Sequence, residues 1–161
     1  MASSTPSTIV LRSNNRDNGM QRVMEAPCQA AVTIRPGMLL AVGTTNTVKP
    51  HTVATGNKEG VKVALDNLYS PPSAGIAIDA TYAAGYTVPY IFASPGDVLY
   101  MLLKTGNNIA KGQALESGGA GNLQAATTPV AGTSVDSLVG YAEEAVNNAS
   151  GSDARIRVRI A

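Results

Sequence analysis

From residue 27 onward the chain alternates short apolar runs with clusters of Gly, Pro, Asn and Ser. The turn signals recur at Arg35-Pro-Gly37, Gly43, Gly56-Asn-Lys-Glu-Gly60, Ser70-Pro-Pro72, Gly85, Pro95-Gly96, Gly106-Asn-Asn108, Gly112, Ser117 to Asn122, Gly132 and Gly151. The runs between them are rich in Val, Ile, Leu and Tyr and have the length of strands. They predict strands near 29–34, 38–42, 61–68, 86–93, 98–103, 121–126, 138–146 and 155–160. Many short strands at regular spacing make the class all-β, a small β-barrel or β-sandwich. Ala and Glu between Val139 and Val146 favour helix, but Gly140 and the following Asn147-Asn-Ala-Ser-Gly151 keep any helix from growing long.

The last predicted strand alternates most clearly. Ile156, Val158 and Ile160 point one way, to the core, and Arg155, Arg157 and Arg159 point the other. Three arginines on one face repel unless something compensates them, so they form a candidate partner-binding ladder. Residues 1–26 read differently. They are rich in Ser, Thr and Asn, with charges at Arg12, Arg16, Asp17, Arg22 and Glu25, and are apolar only at Thr8-Ile-Val-Leu11 and from Met20 to Met24. Such a segment cannot bury enough surface to fold alone. It is expected to be an extended arm preceding a β-rich domain at 27–161, ordered when a partner covers it. Thr8, Ile9, Val10 and Leu11 are the residues expected to add a strand to a partner's sheet edge.

Composition narrows the function. Of 161 residues, 44% are hydrophobic but only 4% aromatic, so Ala, Val, Leu and Ile must build the core. Charged residues are 14%, against roughly 25% in an average soluble chain, which implies that something other than water covers much of the surface. A net charge of +1 argues against nucleic acid as a partner. The single Cys28 excludes an internal disulfide and any cysteine-cluster metal site, and the single His51 excludes a His-pair metal motif. Neither residue sits in a cysteine-hydrolase motif. Met1 to Thr8 has no basic-then-apolar leader, and the longest apolar run, Val98 to Leu103, is six residues, far short of the roughly 20 of a membrane helix. Use without export and no membrane partner are therefore expected.

No constellation points to catalysis, and no enzyme activity or cofactor is expected. Gly118-Gly-Ala-Gly121 lacks the Lys-Ser/Thr of a phosphate loop and reads as a hairpin turn, and there is no Gly-x-Ser-x-Gly elbow. Glu143 and Glu144 are adjacent, so a strand would turn them to opposite faces. Asp97 after Pro95-Gly96 reads as turn chemistry. The passage from Pro95 to Glu116 has the Gly-x-x-Ile-x-Lys-Gly rhythm of biotinyl and lipoyl carrier barrels, but Lys104 is followed by Thr-Gly and not by Met. A carrier or ligand-binding barrel of that type stands as the alternative reading.

The segment from about Arg35 to Val158 resembles the small capsid cement, or decoration, proteins of tailed bacteriophages. The stations are Arg35-Pro-Gly37, Gly75-Ile-Ala-Ile-Asp79, Tyr82-Ala-Ala-Gly85-Tyr-Thr-Val-Pro89, Ser94-Pro-Gly-Asp-Val-Leu-Tyr100, Asn108 to Ser117, Gly121-Asn-Leu-Gln-Ala-Ala-Thr127, Val139-Gly-Tyr-Ala-Glu143 and Ala154-Arg-Ile-Arg-Val158. Their order and spacing carry the likeness, which covers about three quarters of the chain. Tyr86 departs from it, since Asp usually follows that glycine. The resemblance implies a β-rich, non-enzymatic virion protein, made in the host cytoplasm and bound to the outer surface of an expanded icosahedral shell. Its implied partners are the major capsid protein and, as a homotrimer, itself.

Overall fold

The computed structural model describes residues 6–13, 23–54, 59–68, 77–127, 137–149, 151–152 and 154–161. The expected turns at Ser70-Pro-Pro72 and Gly132, and parts of those at 56–60 and of the station at 75–79, lie outside them. Among the described residues there is no α-helix, and thirteen strands form: β1 (Val10–Arg12), β2 (Val23–Pro27), β3 (Leu39–Val42), β4 (Val48–Pro50), β5 (Lys62–Ala64), β6 (Thr87–Phe92), β7 (Val98–Leu103), β8 (Asn107–Ile109), β9 (Ala114–Gly119), β10 (Asn122–Ala125), β11 (Leu138–Ala142), β12 (Val146–Asn148) and β13 (Ala154–Ile160). The all-β class holds.

Five strands close into a barrel in the order β7-β10-β9-β11-β13 and back to β7. Closure removes the free edges that an open sheet would leave. Its interior is aliphatic: Leu99, Met101, Leu103, Leu115, Leu123, Ile156, Val158 and Ile160 are all buried. The alternation expected for the last strand is observed, with Ile156 opposite Met101 and Val158 opposite Leu99 facing inward. A second sheet runs β2-β6-β5-β3-β4, and a bridge between Cys28 and Val48 links its two ends. The row Leu39–Val63–Ile91 on one face joins the barrel's core cluster. On the other face Leu40, Ala64, Val88 and Tyr90 gather around Cys28, Ile34, Met38, Tyr82 and the barrel's own Leu102. The units meet at Gly37, where φ is +82° and a Cβ would stand 2.7 Å from both the Tyr100 carbonyl and Arg155 Nη1. Only glycine combines that backbone with that approach.

Three strand expectations are corrected. Residues 29–34 form no strand: Ala31 has a left-handed φ of 61°, leaving single bridges at Cys28 and Ile34. In the run 61–68 the strand is confined to Lys62–Ala64; beyond it Asp66 turns aside to accept hydrogen bonds from Thr8 Oγ1 (2.8 Å) and the Ile9 amide (3.1 Å). The run 138–146 breaks at Glu143-Glu144, and β12 leaves to pair with β8. Strands also form within the expected arm. β1 pairs with β7, and β2 pairs with β6 across the boundary expected at 26/27. Ile9 is fully buried, so these apolar stretches order on the chain's own sheets. The rest of Met20 to Met24 lies outside the described residues.

Candidate interaction surface

The outward face of β7 and β13 carries every charged residue of the ladder. Arg155 is opposite Leu102, Arg157 opposite Tyr100 and Arg159 opposite Val98. The shared alternation holds all three on one face, but their surroundings differ. The Arg155 side chain is 10% exposed. Its Nη1 donates to the Pro36 carbonyl at 2.7 Å, and its Nη2 donates to the Ile78 carbonyl and meets Asp79 Oδ1 at 3.5 Å. The guanidinium also lies 6.0 Å from the Tyr100 ring centre. Burial pushes the Arg155 pKa down and Asp79 opposes this; an arginine so placed stays charged. Arg155 therefore clasps the second sheet to the barrel.

The other two arginines find carboxylates nearby. Arg157 Nε stands 3.6 Å from Glu144, whose other oxygen accepts from the Arg157 amide at 3.0 Å. Arg159 Nε stands 3.1 Å from Glu143. The expectation that Glu143 and Glu144 face opposite sides fails because the chain bends there and is not a strand, so both reach the ladder. The compensation that three neighbouring arginines require is supplied within the chain.

Thr8, Ile9, Val10 and Leu11 lie beside this face. Thr8 and Ile9 are tied to Asp66, the Ile9 carbonyl accepts from the Tyr100 amide at 2.8 Å, and Val10 is opposite Leu99. The segment expected to extend a partner's sheet extends this chain's own. Arg12, which sequence reasoning did not single out, is opposite Val98 on the same row as Arg159, and Tyr141 follows Arg159. One line thus crosses four strands as Arg12–Val98–Arg159–Tyr141. Beside it a groove of about 620 Å³ is lined by Pro6, Leu11, Arg12, Val98, Glu143 and Arg157. No motif could have revealed this row, because it is created by registers between distant strands.

The remaining candidates fall elsewhere. Cys28 is buried, its Sγ faces carbonyl oxygens, and burial pushes the thiol pKa up, opposite to the shift that activates a nucleophile. His51 Nδ1 instead lies 2.8 Å from Ser117 Oγ, both residues being buried between the sheet and the barrel. Lys104 Nζ donates to the Gly118 carbonyl at 3.4 Å, and Lys111 sits on the exposed turn between β8 and β9. Among the described residues no group of three or more His, Cys, Asp or Glu stands close enough to hold a metal. Compared with known proteins, the sequence matches no family model and no curated protein.

Proposed function

We propose that this chain is a capsid decoration protein of a tailed bacteriophage, bound to the outer surface of the expanded shell as a homotrimer and acting without catalysis. The observation that carries the reading is the ordered series of sequence stations from Arg35 to Val158. Their placement supports it: Ser94 to Tyr100 leads into β7, Asn108 to Ser117 spans β8 and β9, and the last three stations supply β10, β11 and β13. Five stations thus contribute to all five barrel strands. The exposed apolar side chains Val23, Met24, Phe92 and Tyr141 are surface that neighbouring protein would cover.

A clamp that binds only the expanded lattice stabilises it by mass action, and many symmetric copies multiply the effect. Co-sedimentation with expanded and unexpanded shells, followed by heating, tests this. Saturable binding to expanded shells alone, with a higher disruption temperature, is the expected result. Failure to sediment with either shell overturns the reading, and a covalent mass increase on Lys104 or Lys111 of the native protein supports a carrier in its place.

A further inference from the structure

We propose that the groove between β1 and β13 is a docking site for an extended polypeptide segment in which acidic and apolar residues alternate. This inference does not depend on the capsid reading. Among the described residues, three guanidinium groups, Arg12, Arg157 and Arg159, and two carboxylates, Glu143 and Glu144, stand around the groove. Arg157 and Arg159 each have one of those carboxylates. Arg12 is exposed, and no carboxylate among the described residues lies within ion-pair distance of it. Among the described residues the surplus of one positive charge is therefore localised on the β1 side.

The spacing suits an extended chain. Arg157 and Arg159 are two residues apart on one strand, about 7 Å, which is the repeat of same-face side chains in any extended segment. Arg12 and Arg159 flank Val98 across two strand spacings, about 10 Å. Val98 and Leu11 offer an apolar floor between the cations. A segment lying there would place carboxylates toward Arg12 and the ladder and an apolar side chain on Val98. Charge-assisted pairs with arginine are geometrically specific. A phosphodiester chain suits the groove less well, because Glu143 and Glu144 repel a continuous line of phosphates and Val98 and Leu11 between the cations offer it no polar contact.

Fluorescence anisotropy with the full chain tests the assignment. The probes are a fluorescein-labelled hexapeptide of alternating Glu and Val, the same peptide with Gln for Glu, and a labelled single-stranded oligothymidine. The Glu peptide is expected to bind, at least tenfold tighter than the Gln peptide, and to weaken as salt rises from ~50 to ~300 mM. Arg12→Glu and Arg12→Gln should each lower its affinity at least tenfold with an unchanged unfolding temperature, since Arg12 is exposed. Glu143→Gln should raise affinity by removing a competing carboxylate. No binding, equal binding of the Gln peptide, indifference to both Arg12 variants, or tighter binding of the oligonucleotide each overturns the proposal.

Discussion

In the barrel each strand shows one face to a single core; in the second sheet the middle strands are buried on both faces. β13 alternates between buried Ile156, Val158 and Ile160 and more exposed arginines, whereas Lys62, Val63 and Ala64 of β5 are all buried. The cause is position. The sheet lies between the barrel and its own inner cluster, so β3, β5 and β6 have no solvent face along their middles. This changes what an outward position on the barrel means. Leu102, Tyr100 and Arg155 point away from the barrel core yet are covered. Arg157 and Arg159, on the same face, are 33% and 52% exposed. Outward residues thus differ in energetic weight according to whether the second sheet reaches them.

The sharpest way to break the comparison is to attack a covered outward residue as though it were surface. Leu102 is fully buried in the inner cluster of the sheet, although its strand belongs to the barrel. Leu102→Ala should destabilise by about 2–5 kcal/mol, the range for a buried leucine leaving a cavity. Ile9, immediately before β1, is equally buried, so Ile9→Ala should fall in the same range. Denaturant midpoints measure both, and a change under ~1 kcal/mol at either site would mean that the covering element is not held there.

The arginine ladder sharpens the contrast at fixed chemistry. Arg155→Gln removes charged hydrogen bonds to the Pro36 and Ile78 carbonyls and leaves them unpaired, at a cost of about 2–4 kcal/mol. Arg159→Gln breaks a half-exposed ion pair and should cost about 0–1 kcal/mol. In the sequence the three arginines look alike, one candidate partner-binding ladder. The structure separates them, because what lies over Arg155 comes from residues some 75 to 120 positions away in the chain, whereas Arg157 and Arg159 meet the nearby Glu144 and Glu143. Equal losses from the two variants would remove the distinction.

Particular elements show why some of the fold was legible and some was not. β7 was read to the residue, because six apolar residues follow Pro95-Gly96-Asp97 and end before the turn at Gly106. β13 was read from its clean period of two. β4 was missed because its hairpin turns through Thr45 and Asn46, with φ of 51° and 59°, and carries no glycine at those positions. β8 and β9 were hidden by polar content: Asn107-Asn108 belongs to a strand, and buried Glu116 and Ser117 break the expected pattern. Glu116 is accommodated by Gln124 and Thr127, and Ser117 by His51, partners no local window displays. On the candidate surface, the ladder and Thr8–Leu11 were legible as patterns, but their intramolecular partners and the role of Arg12 in the row were not.

The smallest expected effect is a difference in alkaline stability that originates in the covered region alone. Cys28 lies in the inner cluster of the sheet and Tyr100 on the covered outward face, and burial raises both pKa values, aided at Tyr100 by the charge of Glu144. In each case the folded state favours the neutral form. As pH rises the unfolded chain releases the proton first, so it binds fewer protons than the native state and stability falls. Each contribution is fully present below the ordinary pKa, about 8.5 for the thiol and about 10 for the phenol, and is lost as pH climbs through the raised folded value. Thermal unfolding from pH 8 to 11 should therefore show a decline in two parts. Cys28→Ala should flatten the earlier part and Tyr100→Phe the later, each judged against that variant's own stability at pH 8. If Tyr100→Phe leaves the later part of the decline as steep as in the parent protein, cover on the outward face does not hold the phenol neutral and the contrast between covered and uncovered outward residues loses its electrostatic side.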